Sequence, residues 1–186
     1  LSVNTGVYFS SYKVLQETEK ALFSYYDLKR PFFKELPNMT IKEANNVCSN
    51  FKSYKDKGAI LFAVQGGRFS EGENFQEGEM RSVIIVGLSI PPPSKQLFLK
   101  MSYIKKTYSQ NAFLIYMLEP AIKKAVQSAG RVTRNTSYSV IFFLDSRFAS
   151  KSIFGLFPEW IQKNAKCTNL DSNSVEKILD SSSCTL

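Results

Sequence analysis

Four short apolar runs punctuate the chain: Val7–Phe9, Ile60–Val64, Val83–Leu88 and Val140–Leu144. Each is continuous rather than alternating, the pattern of a strand covered on both faces of a parallel sheet. Between them, apolar positions recur at helical spacing. One helix is predicted from Ser11 to about Tyr25, with Ser10 or Ser11 placed to cap it. A second opens at the capping box Thr40-Ile-Lys-Glu43 and runs to about Lys55. A third region, about Lys95 to Thr133, reads as two helices divided near Glu119–Pro120, with proline at the first helical position of the second. The stretch from Asp27 to Met39, containing Pro31 and Pro37, reads as a loop. Pro91–Pro93 stops whatever precedes it, because three prolines continue neither a ladder nor a helix. Asn173–Asp180 reads as one more short helix inside a polar, serine-rich tail from about Lys166 to Leu186. Strands alternating with helices predict a single α/β domain over 1–186: a doubly wound, mainly parallel sheet with helices on both faces and right-handed crossovers.

In such a sheet, ligands collect beyond the carboxyl ends of the strands. After the first run comes Ser10-Ser11-Tyr12, and after the second comes Gly66–Phe75, whose glycines let backbone N–H groups approach a phosphate. Ser89 and its prolines follow the third run, and Asp145-Ser-Arg147-Phe148 the fourth. Asp145 and Arg147 read as an ion pair fixing the loop at a strand end. Farther along, Gln127, Arg131 and Arg134 are offset by zero, four and seven residues, which sets an amide and two guanidiniums on one helix face. Ile122, Val126, Ala129 and Thr133 cluster roughly 130° away and form the predicted packing face. Gly130 lies between the faces, where a missing side chain lets the helix approach a neighbour closely. Standing alone, the arginine pair reads as a solvated helix face, and only its planar forks suit it to phosphate oxygens.

Charge and cysteine usage narrow the picture. The 186 residues carry 24 Lys or Arg against 16 Asp or Glu, a formal charge of +8 that favours polyanionic partners. With 44% hydrophobic residues, the chain can bury a sizeable core. Cys48, Cys167 and Cys184 form no C-x-x-C pair and fit neither a disulfide framework nor a metal site, so they read as buried or incidental thiols. Sequons at Asn38 and Asn135 read as chance matches. No apolar run is long enough to span a bilayer and no signal-peptide pattern opens the chain, so it reads as intracellular and free of membrane. It begins at Leu1 rather than Met, which suggests one piece of a larger protein. The phosphate-binding pattern G-x-x-x-x-G-K-[ST] occurs nowhere in it.

In this order, the segments resemble the second motor domain of the XPD/DinG family of superfamily 2 DNA helicases. Gly66–Phe75 looks like that family's motif V, usually G-G-[KR]-[FV]-S-E-G-I-D-F, and Gln127–Arg134 looks like motif VI, usually Q-x-x-G-R-x-I-R. Val7–Tyr12 is similar to motif IV. The strand from Tyr138 to Phe148 is similar to the family's D-Y-G…D-x-R-F segment, and Phe157–Gln162 to its L-P-x-W-I segment. The chain departs from the pattern at Glu73 and Thr133, each in place of isoleucine, at Asn74 in place of aspartate, and at Ser137 and Ser139.

The resemblance implies a RecA-like fold and half of an ATP-driven motor on single-stranded DNA. The first motor domain of the same protein, absent here, would carry the Walker motifs, the magnesium of Mg-ATP and a 4Fe-4S cluster, and this chain alone would hydrolyse nothing. Arg131 and Arg134 are expected to reach the β- and γ-phosphates, with Gln127 orienting the γ-phosphate or the attacking water. Glu71, Gly72 and Asn74 would face the nucleotide. Ser10, Ser11, Tyr12, Arg68 and Ser70 would hold DNA, through phosphate contacts or, for Tyr12, base stacking. Lys13 is a further phosphate partner or a solvated surface charge. Repair-complex proteins are expected partners, with a nuclear location in a eukaryote and a cytoplasmic one in a prokaryote. The departure at Asn74 also motivates a second reading, a helicase-like module that binds nucleic acid or a repair partner without turnover.

Overall fold

The four apolar runs become strands of one sheet, and a fifth strand joins them. The computed structural model describes residues 3–76, 78–108, 111–133 and 139–168, with Thr133 described for its backbone only. In chain order the elements are β1 (Thr5–Phe9), α1 (Tyr12–Tyr25), β2 (Phe32–Lys34), α2 (Ile41–Ser53), β3 (Ile60–Val64) and α3 (Arg68–Glu71). They continue with β4 (Ser82–Val86), α4 (Lys95–Tyr108), α5 (Glu119–Thr133), β5 (Val140–Leu144), α6 (Lys151–Phe154) and α7 (Glu159–Asn164). All four strand pairings are parallel, in the order β2-β3-β1-β4-β5. The expected α/β architecture is therefore observed. The chain reverses its direction of sheet growth at β1, which lies between β3 and β4, so a crevice opens at the carboxyl end of β1.

Burial on both faces explains the unbroken apolar runs. Val7 and Phe9 of β1 and Phe62 and Val64 of β3 pack with Leu15 of α1. Phe9 and Phe62 meet edge to face at 4.7 Å, and Phe32 meets Phe62 at 4.9 Å. The alternate positions Tyr8, Leu61, Ala63, Val83 and Ile85 are buried on the other face, where α5 lies against β4. Gly6 belongs to that face; a Cβ there would sit 2.9 Å from the Met80 sulfur. Ser11 caps α1 by accepting from the Val14 amide, and Thr40 with Glu43 closes the capping box of α2.

Three expectations are corrected. The stretch from Asp27 to Met39 is more than a loop: Phe32–Lys34 pairs with Ile60–Phe62 as a short edge strand. Only three residues long and entered through Pro31, it leaves too short a pattern to show as a periodicity, and the edge is where proline is tolerated next to a strand. The helical pair does not divide at Glu119–Pro120 either. The helix runs from Ala112 to Thr133, with a π-helical turn at Leu114–Leu118. Pro120 lacks an N–H and crowds the carbonyl four residues back, and the wider turn just before it absorbs both effects. Finally, the buried seam of α5 is Ala121, Ile122, Ala125, Ser128, Ala129 and Val132, with Val126 only half-buried. The helix is rotated so that a serine, and not Val126, belongs to the buried seam.

The chain divides into two compact units, Leu1–Leu156 and Phe157–Leu186. In the second, α7 follows Pro158, the Gln162 amide donates to the Phe157 carbonyl, and Lys163 pairs with Glu159 at 2.6 Å. The predicted helix at Asn173–Asp180, Cys184, Asn135, Ser137 and Tyr138 lie outside the described residues.

Candidate functional site

The carboxyl ends of β1, β3, β4 and β5 share one edge of the sheet, and the polar segments singled out above gather there. Gln65, which follows β3, is buried, and its Nε2 donates to the carbonyls of Gly87 at 2.8 Å, Tyr8 at 3.3 Å and Val86 at 3.4 Å. One amide thus ties three strand ends together. The Gln65 carbonyl oxygen has no partner among the described residues. The backbone then turns through Gly66, whose φ of +76° is a conformation glycine adopts without strain. The Lys124 side chain lies across this turn, leaving a Gly66 Cβ only 3.1 Å from its Cε.

Glu35, at the end of the edge strand β2, organises the next residues. It is buried, and its carboxylate accepts from the amides of Val64 at 3.0 Å and Arg68 at 2.8 Å. The Tyr12 hydroxyl donates to the same group at 3.0 Å. Gly67 is pressed on it so closely that a Cβ would lie 2.6 Å from Oε1. A single carboxylate therefore hangs the Gly66–Arg68 turn and anchors the first residue of α1. Burial first, and then the Glu35 charge, push the Tyr12 phenol up to about 12, so it stays a donor at neutral pH. Glu35 is not legible in the sequence as a site residue because the stretch that holds it reads as loop. The available signal was an acid closing a short aromatic run entered through proline.

The Gly66–Phe75 segment is a turn, a short helix and a tail rather than an open loop. Phe69 is buried in α3, and the Tyr8 hydroxyl donates to its carbonyl at 3.3 Å. Burial raises the Tyr8 phenol far above its ordinary range. Ser70 is corrected from its expected place on DNA. It is fully buried, and its hydroxyl shares a 2.7 Å hydrogen bond with Ser128 of α5, which itself donates to the Lys124 carbonyl. Glu71, Gly72 and Asn74 are exposed together at the far end of α3. Beyond them, Lys52 of α2 donates to the Asn74 carbonyl at 2.6 Å and lies over the Phe75 ring. The Glu73 carboxylate accepts from the Cys48 thiol at 3.2 Å. Burial first, and then Glu73, push that thiol up to about 12, so Cys48 is an inert buried group. Cys167 is exposed.

The Arg131 guanidinium lies on the Gly66–Phe75 segment: Nε donates to the Ser70 carbonyl at 2.7 Å and Nη1 to the Glu73 carbonyl. One carbonyl lies in the last turn of α3 and the other just past its end, where acceptors are left unpaired within the helix and a rigid donor fork fits them. Gln127, four residues before it, is exposed. Arg134 lies outside the described residues. A Cβ on Gly130 would meet nothing within 4 Å, so the described residues do not require glycine there.

At the other strand ends, Ser10 donates its amide to Val86 and receives the Ser89 hydroxyl on its carbonyl at 3.1 Å. Ser11 is committed as the cap of α1, and exposed Lys13 is 3.9 Å from Glu17. Arg68 is exposed and donates to the Met39 carbonyl at 3.3 Å. Asp145 and Arg147 form the expected ion pair, at 2.6 Å, while Asp145 also accepts from the Leu88 amide. Hydrogen bonds from Arg147 hold the Asp145 carboxyl below the ordinary carboxylate range, against the opposing effect of partial burial. A lowered value means stability that is present above the unfolded pKa, roughly 3.9, and lost as pH falls through the folded one. Asp145→Asn is therefore expected to flatten the acid limb of a stability-against-pH curve measured by urea unfolding. An unchanged acid limb would show that the pair contributes nothing.

The five-stranded parallel sheet, the crevice at β1 and the three polar segments along one edge define a RecA-like motor-type domain. Residues 2–164 match the family model described as Helicase C-terminal domain, and the chain belongs to that family, as the second RecA-like domain of an XPD/DinG-type helicase. It is 32% identical over 179 residues to a Kluyveromyces lactis protein named ATP-dependent DNA helicase CHL1, an alignment covering 86% of this chain and 22% of the relative. A solved structure named XPD_Helicase superposes with a TM-score of 0.66 at 19% identity, over 90% of this chain and 29% of the other. The C-terminal domain of the DEAD-box protein Dbp5 superposes at 0.53 with 16% identity, over 97% and 83%. The chain thus spans about a fifth of the length of the curated relatives it matches.

Proposed function

We propose that this chain is the nucleotide-sensing and DNA-gripping half of an ATP-dependent DNA helicase. ATP hydrolysis between it and a first motor domain of the same protein drives translocation on single-stranded DNA and duplex unwinding, in DNA repair and alongside repair-complex proteins. The observation that supports this reading best is the Arg131 fork. It fastens the helix of the motif VI segment to two backbone carbonyls of the motif V segment. That segment in turn shares the Glu35 carboxylate with Tyr12 of the motif IV segment. A shift of α5 toward or away from a nucleotide would move the motif V tail with it, while Glu35 holds the other end of the segment against α1.

In this reading Arg134 is the arginine that reaches the terminal phosphates, and Arg131 is the link behind it. Gln127 lies one turn before Arg131 on an exposed position, suited to a phosphate or a water. Glu71, Gly72 and Asn74 present the exposed end of α3 to the nucleotide, and Ser10, Tyr12 and Arg68 border the crevice for DNA. Among the described residues no group of three acidic, cysteine or histidine side chains is placed to hold a metal. Magnesium, the Walker motifs and the iron–sulfur cluster belong in this reading to the rest of the protein. ATP bound there supplies the phosphoryl chemistry, and this domain alone is inactive. A eukaryotic form would work in the nucleus and a prokaryotic one in the cytoplasm.

Asn74 favours the second reading, binding without turnover. Its side chain is exposed, and its carbonyl accepts from Lys52. One experiment separates the two: ATP hydrolysis by the full-length protein, with and without single-stranded DNA, for wild type and Asn74→Asp. Stimulation of the wild type by DNA supports the motor. Absence of hydrolysis in both forms overturns it in favour of the binding module.

A further inference from the structure

One helix carries apolar residues on the wrong side. None of the side chains of α4 is buried, although Leu97, Met101 and Ile104 are half-buried along one seam. At about 100° per residue, Leu99 and Tyr103 fall opposite that seam beside Lys95 and Lys106, and Phe98 lies about 100° round from Leu97, at the margin of the same exposed side. Phe98 is 58%, Leu99 71% and Tyr103 60% exposed. An isolated surface leucine needs no explanation, but aromatic and aliphatic residues grouped on one outward helix face mark a surface that something covers.

Charge indicates what covers it. From Lys95 to Tyr108 there are four lysines and no acidic residue. A protein partner would select against this composition, since lysine is depleted at the cores of protein interfaces. Lysines alternating with aromatic rings suit a nucleic-acid strand: the ammonium groups neutralise phosphates, and the rings accept bases of any sequence. Position agrees with charge. Three residues past the end of β4, the Ser89 hydroxyl donates to the Ser10 carbonyl at the crevice. Five residues later Ser94 caps α4, accepting from the Leu97 amide at 3.1 Å. Three of those intervening positions are prolines with fixed φ, so the helix begins within about 18 Å of Ser89.

We infer that the outward face of α4, formed by Phe98, Leu99 and Tyr103 with Lys95 and Lys106, is a docking surface for single-stranded DNA that extends the track beyond the crevice. The inference rests on the DNA-motor reading above and assigns a contact outside the three motifs. Stacking on the two rings holds the strand by its bases, while the lysines hold it by its phosphates.

The test uses the full-length protein and a fluorescent oligo-dT strand. Phe98→Ala with Tyr103→Ala is expected to weaken binding by roughly tenfold to a hundredfold. Lys95→Gln with Lys106→Gln is expected to reduce the slope of log Kd against log salt by about 1.4. All four side chains are exposed, so thermal unfolding should be unchanged. A photo-crosslinking residue in place of Leu99 is expected to join the strand. Wild-type affinity and salt slope in both variants, or adducts at position 99 only with protein, would overturn the inference while leaving the motor reading standing. A wild-type protein that neither binds the strand nor responds to it in ATP hydrolysis would overturn both.

Discussion

Replacing Arg131 with alanine in the full-length protein is expected to lower DNA-stimulated ATP hydrolysis by about a hundredfold or more, with single-stranded DNA affinity changed far less. The guanidinium holds the carbonyls of Ser70 and Glu73 at once, and these bracket Glu71 and Gly72, which in the proposed reading face the nucleotide. Losing it lets that tail drift relative to α5, and a displacement of about 1 Å at a reacting site costs on the order of 10² in rate. Two charge-assisted hydrogen bonds also disappear, so the variant should be less stable by about 3 kcal/mol. Arg131→Lys is expected to recover little turnover, because an ammonium lacks the planar fork that meets two carbonyls together. Arg134→Ala should differ in kind: on the order of 10³ lost in rate, the signature of a phosphate-stabilising arginine, without the same loss of stability. Steady-state hydrolysis and thermal unfolding of the three variants measure this, and normal turnover in Arg131→Ala would show that the link does not couple the site.

Glu35→Ala is expected to be the most destabilising substitution on the sheet edge, by about 4 kcal/mol. It leaves the amides of Val64 and Arg68 and the Tyr12 hydroxyl without their acceptor. Each buried donor so orphaned costs about 1–3 kcal/mol. Glu35→Gln keeps one acceptor oxygen but turns an NH₂ toward donors already in place, so an intermediate loss of about 2 kcal/mol is expected. Urea unfolding checks both, and an alanine variant within 1 kcal/mol of wild type would mean that the turn holds itself. A Tyr12→Phe change removes one of the three donors, so its effect should shrink when it is combined with Glu35→Ala.

The main sheet was legible because four of its strands are buried on both faces, a condition that writes itself into sequence as uninterrupted apolar runs. Helix starts were legible for a local reason: Ser11 and Thr40 act on amides three residues away. The edge strand β2 was not, since a strand of three residues leaves no period to detect. At the site, sequence located the segments but not the directions of side chains. Ser70 reads as a phosphate donor, yet it is turned inward by a partner 58 residues away, and Arg131 folds back onto carbonyls 58 and 61 residues before it. Local spacing contains neither fact. Glu35 and Gln65 escaped for the same reason, because their partners are strand ends far off in the chain.

The fork of Arg131 closes on main-chain oxygens, and every residue offers the same oxygen. The link is therefore indifferent to which side chains stand at positions 70 and 73. A lineage can replace the apolar residue usual at position 73 by glutamate, and let that carboxylate find Lys52 and Cys48, without cutting the connection to α5. Two sequences that differ there can still form the same link.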